Sequence, residues 1–408
     1  MTAQLHYSGT VTRVGILDHF EAASAVLASV RDVVHERAVG REPPPWCEER
    51  GWTTFLRALP DAEVLEAERD GLGALLEKMP DAPASLTALA RDVARIVDLP
   101  VAAPVTSDAV DSRRASPRKR QQVAAFAALV PRVSMGTSRV VDIGSGHGHL
   151  TRHLAIELGL EAEGWEHDAE RVAVANALTH DGRARFVTTD VREGAKDLRA
   201  SDLVVGLHAC GALGDLAAQA TLAAGASLAL VGCCLQKRDG DRRSLGDATS
   251  ESLRLRHAAL GLGNVRDGDE GVEADLAERT ASRVNRMALA ALLREAGQTM
   301  PPGGEMRGIN RRRANGSFAD LVTAAFGVRG LPVPSTEQRS RAAREAHAAY
   351  AYQRRWELPR TMLARAIEVW VALDRAALLA RAGYACEVKV LFPARVSPRN
   401  IALLATPR

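Results

Sequence analysis

The stretch VVDIGSGHGHL, residues 140–150, decides the fold. A short apolar run reaches an acid, Asp142, and passes through Gly144, Ser145, Gly146 and Gly148 into helix-forming residues. Strand, glycine turn and helix in that order make a cofactor cradle: glycines let the backbone approach a ligand, and the helix start offers unpaired N–H groups. Dinucleotide sites use G-x-G-x-x-G, and triphosphate loops use G-x-x-x-x-G-K-S/T. Here the spacing is D-x-G-x-G-x-G, with no lysine placed for a triphosphate, so neither template fits.

An acid at the strand end repels a pyrophosphate but suits a ligand with an ammonium, such as the methionyl part of S-adenosylmethionine. Glu166 closes the next run, GWEHD, where a carboxylate can accept both ribose hydroxyls. Asp190 closes VTTD, where an acid can accept from an adenine amino group. Three acids at three successive strand ends, with the glycines between them, point to S-adenosylmethionine as cofactor. The competing reading is a doubly wound domain whose strand-end acids cap helices.

Outward from this turn, short β-rich runs alternate with helical stretches, the rhythm of a parallel sheet covered on both faces. RVVDIG, EAEGWEH, ARFVTTD, DLVVGLHA and SLALVGCC are the predicted strands, and YACEVKVLF and NIALLAT close the chain as two more. The predicted organisation is a helical N-terminal module over 1–102, a basic linker over 103–120, the sheet core over 121–235, a helical insert or cap over 236–383 and terminal antiparallel strands over 384–408. Within the insert, Ser335 and Gln338 have capping-box spacing. Met362, Leu363, Ile367, Trp370 and Val371 form one apolar stripe, and Gly383 is a helix stop.

Composition narrows the class only a little. A chain of 408 residues can bury a large core, and a formal charge of +3 neither demands nor excludes a nucleic-acid partner. Five lysines among 53 basic residues suggest a GC-rich bacterial genome. An odd cysteine count and a start without a basic-then-apolar leader suggest a reducing cytoplasm. No apolar run approaches the ~20 residues that cross a bilayer, so no membrane association is expected.

His147 and His149 alternate inside the turn, but a metal would need two further ligands there, and no metal site is expected. LHACG ends the fourth strand and GCC the fifth, which places His208, Cys210, Cys233 and Cys234 at the carboxyl edge beside the cofactor crevice. Three readings compete: packed thiols, an acceptor pocket with His208 as proton acceptor or cofactor contact, and thiolate chemistry as a zinc site or nucleophile. His208, Cys210 and Cys233 are the candidate catalytic residues.

VVDIGSGHGHLTRHLA, SPRKRQQV before it, VGLHACGALGD, VGCCLQK and the terminal VSPRNIALLATP together resemble the methyltransferase-like protein twenty-five family. One relative there carries the name ribosomal RNA adenine dimethylase domain-containing protein. The resemblance runs from about Ser116 to the C-terminus and implies a Rossmann-like class I methyltransferase fold, seven strands ordered 3-2-1-4-5-7-6. It implies cofactor contacts at Asp142, Gly144, Gly146, Gly148, Glu166 and Asp190, with Ser116 and Lys119 reaching the methionyl carboxylate. It does not supply the acceptor. HACG lacks the Pro-Pro-aromatic turn that grips an adenine amine. Cys210 and Cys233 stand where pyrimidine carbon-five methyltransferases place theirs, but with alanine in place of proline before the first.

Basic runs at 113–120, 237–243 and 307–313 are candidate phosphate contacts, though a run of arginines is most often a solvated face. Arg399 and Asn400, in SPRN, are read as turn chemistry with a pocket role open for Arg399. The expected function is methyl transfer to RNA or a ribosome-associated protein. The rivals are a small-molecule methyltransferase and a non-catalytic S-adenosylmethionine- or RNA-binding scaffold.

Overall fold

Five β-branched and apolar runs become parallel strands in the computed structural model, which describes residues 13–104, 115–179, 182–195, 197–247, 249, 253–264, 272–301 and 303–408. They are β1 (Arg139–Ile143), β2 (Glu161–Glu166), β3 (Ala184–Thr188), β4 (Asp202–Cys210) and β5 (Ser227–Cys233). Two short strands, β6 (Arg242–Arg243) and β7 (Arg254–Leu255), pair by themselves. The chain closes with β8 (Ala385–Val390) and β9 (Ile401–Thr406), an antiparallel pair joined to the sheet through β5. The order is β3-β2-β1-β4-β5-β9-β8, which is the expected 3-2-1-4-5-7-6 once the separate β6–β7 pair is set aside.

β1 is buried along its whole length, as a strand covered on both faces must be. Val140, Leu203, Val205, Ala229, Val231, Ala402 and Leu404 form one core with Phe126, Leu150 and Leu154. Each such valine or leucine contributes about 1.5–3 kcal/mol on full burial. β1 lies between β2 and β4, so the chain order reverses there, and a crevice opens at the carboxyl ends of β1 and β4. The free side of β8 is covered in part by residues 100–102: Val390 N–H donates to the Pro100 carbonyl and Ala102 N–H to the Val390 carbonyl, both at 2.8 Å.

The chain divides into two compact units. The sheet-bearing unit draws on Met1–His35, Asp92–Arg266 and Leu363–Arg408 in their described parts, and the other on Glu36–Arg91 and Asp267–Met362. This differs from the expected organisation at both ends. The 1–102 module is split, because the Arg13–Ser29 helix packs on the Ala364–Arg381 helix, where Trp370 Nε1–H donates to Ser24 Oγ at 2.9 Å. The 236–383 insert is split as well. Ile367, Trp370 and Val371 are buried as the stripe requires, but so is most of the Ala364–Arg381 helix, which packs on β8 and β9 as a layer of the core. Of the expected linker, residues 105–114 lie outside the described residues, as do Arg113 and Arg114 of its basic run.

The second unit is helical, with a core of Leu289, Leu292, Leu293, Leu321, Val322 and Phe326. Ser335 and Gln338 form the expected capping box: Gln338 N–H donates to Ser335 Oγ at 3.2 Å and Ser335 N–H to Gln338 Oε1 at 2.8 Å. The helix they open, Thr336–Met362, ends before Leu363. Its Trp356 is buried, with the indole N–H donating to the Arg41 carbonyl, so this aromatic is a packing residue.

Candidate active site

The glycine turn follows directly from β1. Gly144, Gly146 and Gly148 all have positive φ, between 55° and 75°. Gly148 is the most constrained, since a Cβ there would run into the Phe186 ring from β3. The turn is pinned to β2 by Gly144 N–H and Ser145 N–H, which both donate to the Trp165 carbonyl, and by Gly146 N–H, which donates to Glu166 Oε2 at 3.0 Å. Backbone and acid are thereby organised together.

Asp142 is buried, and Thr151 from the following helix donates its hydroxyl to Asp142 Oδ2 at 2.7 Å. Burial pushes its carboxyl up to about 6, against the Thr151 hydrogen bond and the nearby Lys119 charge. Lys119 is half-buried, and desolvation pulls its ammonium below the usual lysine range. Ser116 caps the Pro117–Ala127 helix by accepting from Lys119 N–H at 3.2 Å, which fixes the turn that carries Lys119.

Glu166 is also buried, yet well supplied: Oε1 faces His167 Nδ1 at 2.8 Å and accepts from Asp168 N–H at 3.2 Å. A carboxylate has about four acceptor positions, so one stays open. Asp190 is differently engaged. It caps the short turn Val191–Glu193 and pairs with Arg192, whose guanidinium and N–H hold its carboxyl down at about 2. The capping alternative therefore describes what Asp190 does in this structure.

A bulge between Leu207 and Ala209 interrupts the β4–β5 ladder, and His208 at its centre has φ 73°. Its Nε2 lies 2.9 Å from Gln122 Oε1, while Gln122 Nε2 donates to the Val396 carbonyl at 3.2 Å. That second bond orients the amide, so Nε2 carries the proton and Nδ1 is the accepting nitrogen. Burial, with the Lys119 and Arg118 charges, pushes His208 down to about 4. A base poised at neutral pH, as the residue type alone suggests, is not what this environment provides.

Register places Cys210 beside Cys233, with their sulfurs 2.8 Å apart and both thiols donating to the His208 carbonyl at 3.3 Å. The Cys233 thiol beside it holds the Cys210 thiol below its usual range, and the same contact pushes Cys233 up. Cys234 follows with φ 43°. Thr151 and Gln122 are the site residues that sequence reading missed: both lie in ordinary helical sequence and gain a role only from what they face.

A cavity next to Cys233 is lined by Arg365, Glu368, Arg375, Arg399 and Asn400. Arg365 and Arg399 both bind Glu368, and Asn400 accepts from Arg365 at 2.7 Å while donating to the Phe392 carbonyl. The 237–243 run loses two candidate phosphate contacts: Arg238 and Arg242 are turned onto Asp215, and Arg242 is fully buried. Arg311, Arg312 and Arg313 are exposed in the second unit.

The site can be tested for S-adenosylmethionine on its own residues. Ser145 Oγ is a buried polar atom without a protein partner, and Gly164, like Gly148, has no room for a Cβ beneath the turn because of Phe186. With Asp142, Glu166 and Lys119 around that turn, the donor set fits the cofactor. Residues 118–239 match a family model described as a methyltransferase domain. The sheet-bearing unit thus carries an S-adenosylmethionine-dependent methyltransferase domain.

Solved structures resembling parts of the chain include DesVI of Streptomyces venezuelae, at 18% identity and TM-score 0.24, over 28% of this chain and 52% of that one. The sugar N-methyltransferase KedS8 of Streptoalloteichus sp. matches at 20% identity and TM-score 0.25, over 33% of this chain and 60% of its own. The glycopeptide N-methyltransferase MtfA, complexed with S-adenosylmethionine, matches at 17% and TM-score 0.23, over 38% and 72%. The chain spans about half the length of the first of these and three-fifths of the second. Among the described residues, no helix is long and apolar enough to cross a membrane.

Proposed function

We propose that the whole chain is an S-adenosylmethionine-dependent methyltransferase that modifies RNA at the carboxyl ends of β4 and β5. The observation that carries the methyl-transfer reading is the glycine turn tied to two buried acids, Asp142 behind it and Glu166 across it. In this reading Asp142 takes the methionyl ammonium, Lys119 its carboxylate, Glu166 the ribose and Asp190 the adenine edge. The cofactor supplies an electrophilic methyl group on a sulfonium.

The protein's part is to hold an acceptor in line with that methyl, and orientation of this kind supplies much of the rate. A base is needed only where the acceptor atom carries a proton, and His208, held down to about 4, is a weak one. The cavity beside Cys233 mixes the charged side chains of Arg365, Glu368, Arg375 and Arg399 with apolar Leu235, Val371, Ala372 and Ile401. The resemblance to the methyltransferase-like protein twenty-five family does not supply the acceptor, and the labelling below separates RNA from a ribosome-associated protein.

Calorimetric titration of the purified chain with S-adenosylmethionine, beside Asp142→Ala and Glu166→Ala, is the first test. Affinity should fall at least tenfold in each variant, or about 1.4 kcal/mol. Tritiated-methyl transfer into fractionated RNA, ribosomal protein and small molecules then identifies the acceptor. Label in RNA that falls steeply with added salt supports this reading. Label confined to protein favours a ribosome-associated protein, and salt-insensitive label in a metabolite fraction favours a small molecule.

A further inference from the structure

The three cysteines at the β4 and β5 edge are brought together by more than chain proximity. Cys210 and Cys233 are register partners on adjacent strands, so their side chains leave the sheet on the same side. Cys234 should then point the opposite way, as consecutive strand residues do. It does not: its sulfur lies within 4.8 Å of both others. The backbone achieves this at φ 43°.

Among the described residues, the non-glycine positions with positive φ are Cys234, within this cluster, and His208, two residues before Cys210. A non-glycine residue in that region is strained and persists where the surroundings enforce it, commonly at functional sites. Here the two strained positions, with the bulge at His208, bring three soft donors to one point.

We infer that Cys210, Cys233 and Cys234 bind one zinc ion, leaving its fourth coordination position to water or another ligand. Thiolates select zinc over hard cations, and three protein ligands with an open position is the arrangement of reactive rather than purely structural zinc. Sulfurs each about 2.3 Å from a tetrahedral zinc lie about 3.8 Å apart. That falls between the 2.8 Å of the Cys210–Cys233 pair and the 4.8 Å bound on the trio, so small side-chain rotations suffice. Three thiolates and one zinc leave a net charge of −1. Lys237 acts on Cys210 and Lys119 on Cys233, two cations facing the cluster from different segments. His208 is not a fourth ligand in this arrangement, because it lies outside the group of donor atoms that come within 4.8 Å of one another.

The test uses the full chain purified in reducing buffer without chelator. Metal content is measured by plasma mass spectrometry, and zinc is then exchanged for cobalt(II). One zinc per chain and a thiolate-to-cobalt charge-transfer band are expected, and Cys234→Ser should weaken cobalt binding about a hundredfold or more. Cys386→Ser, a buried thiol elsewhere, should leave the band unchanged. Maleimide labelling with peptide mapping needs no variant: with zinc present Cys210, Cys233 and Cys234 should be protected, and a chelator should expose them.

Folded wild type with neither zinc nor a cobalt band would overturn the inference. So would a band untouched by Cys234→Ser, copper in place of zinc, or equal labelling of the three thiols with and without chelator. None of these outcomes depends on whether methyl transfer is seen.

Discussion

Asp142 shows how one buried acid can oppose stability and serve binding together. Its folded pKa of about 6 lies above the value near 3.8 of an unconstrained carboxyl, so folding takes up a proton between those pH values. The associated stabilisation is complete below about pH 4 and lost as pH rises through about 6. Above that, the ionised group costs the cofactor-free fold roughly 2–3 kcal/mol. Asp142→Asn keeps an oxygen for Thr151 and removes the charge. At pH 7.5 it should melt several degrees above wild type, a difference that closes toward pH 4, while its S-adenosylmethionine affinity falls. Thermal melts across pH check this, and a variant less stable than wild type at pH 7.5 would contradict it.

His208 carries the opposite sign. With its folded pKa down at about 4 against the usual 6.5, its contribution is full above about 6.5 and lost as pH falls through about 4. An NMR titration of the His208 ring should therefore show a midpoint near 4. A midpoint near 6.5 would mean the ring is not enclosed by Gln122, Lys119 and Arg118 in the way described.

At the scale of elements, the turn between β1 and its helix is specified by where side chains are forbidden. Gly148→Ala meets both a positive φ and the Phe186 ring, and should cost more than about 2 kcal/mol. Gly146→Ala shares the positive φ but faces open space, and should cost only about 1 kcal/mol. Urea denaturation separates the two, and equal losses would show that packing against β3 is not what fixes the turn. The equivalent device at β5 is Gly232. With Gly214, it leaves a lane for the Arg375 guanidinium, which a Cβ at either position would strike.

That guanidinium belongs to a buried ion network that ties distant parts of the sheet-bearing unit together. Asp215 accepts from Arg238, Arg242 and Arg375, and Asp374 accepts from Ser244 Oγ and the N–H groups of Leu245 and Gly246 while pairing with Arg242. The helix after β4, the loop after β5 and the helix before β8 are thereby joined. Asp215→Asn leaves buried arginines short of charge, and should cost about 3–5 kcal/mol in chemical denaturation. The loss should change little with added salt, since burial limits screening. A loss under about 1 kcal/mol would show the network to be dispensable. The arginines hold the Asp215 carboxyl far below its usual range, so its contribution is present above about pH 4 and disappears as pH falls.

The amino-acid sequence determined the strands and the cradle, because those are local: alternating β-rich runs, a D-x-G-x-G-x-G turn and acids at strand ends can be read without knowing what lies opposite. The 3-2-1-4-5-7-6 order is not local and came from the family resemblance. Tertiary structure alone decided the rest. Arg242 reads as a surface cation in a basic run and becomes a core residue, since only the fold sets Asp215 and Asp374 around it. The stripe at 362–371 reads as one face of a cap, whereas the Ala364–Arg381 helix that carries most of it is buried nearly all round within the sheet-bearing unit. Gln122 and Thr151 carry no local signal, and three cysteines far apart or adjacent in sequence become one donor set through strand register and two strained φ angles. Local chemistry fixes what each residue can do, while long-range packing fixes what it faces, and pKa, ion pairing and metal affinity all depend on what it faces.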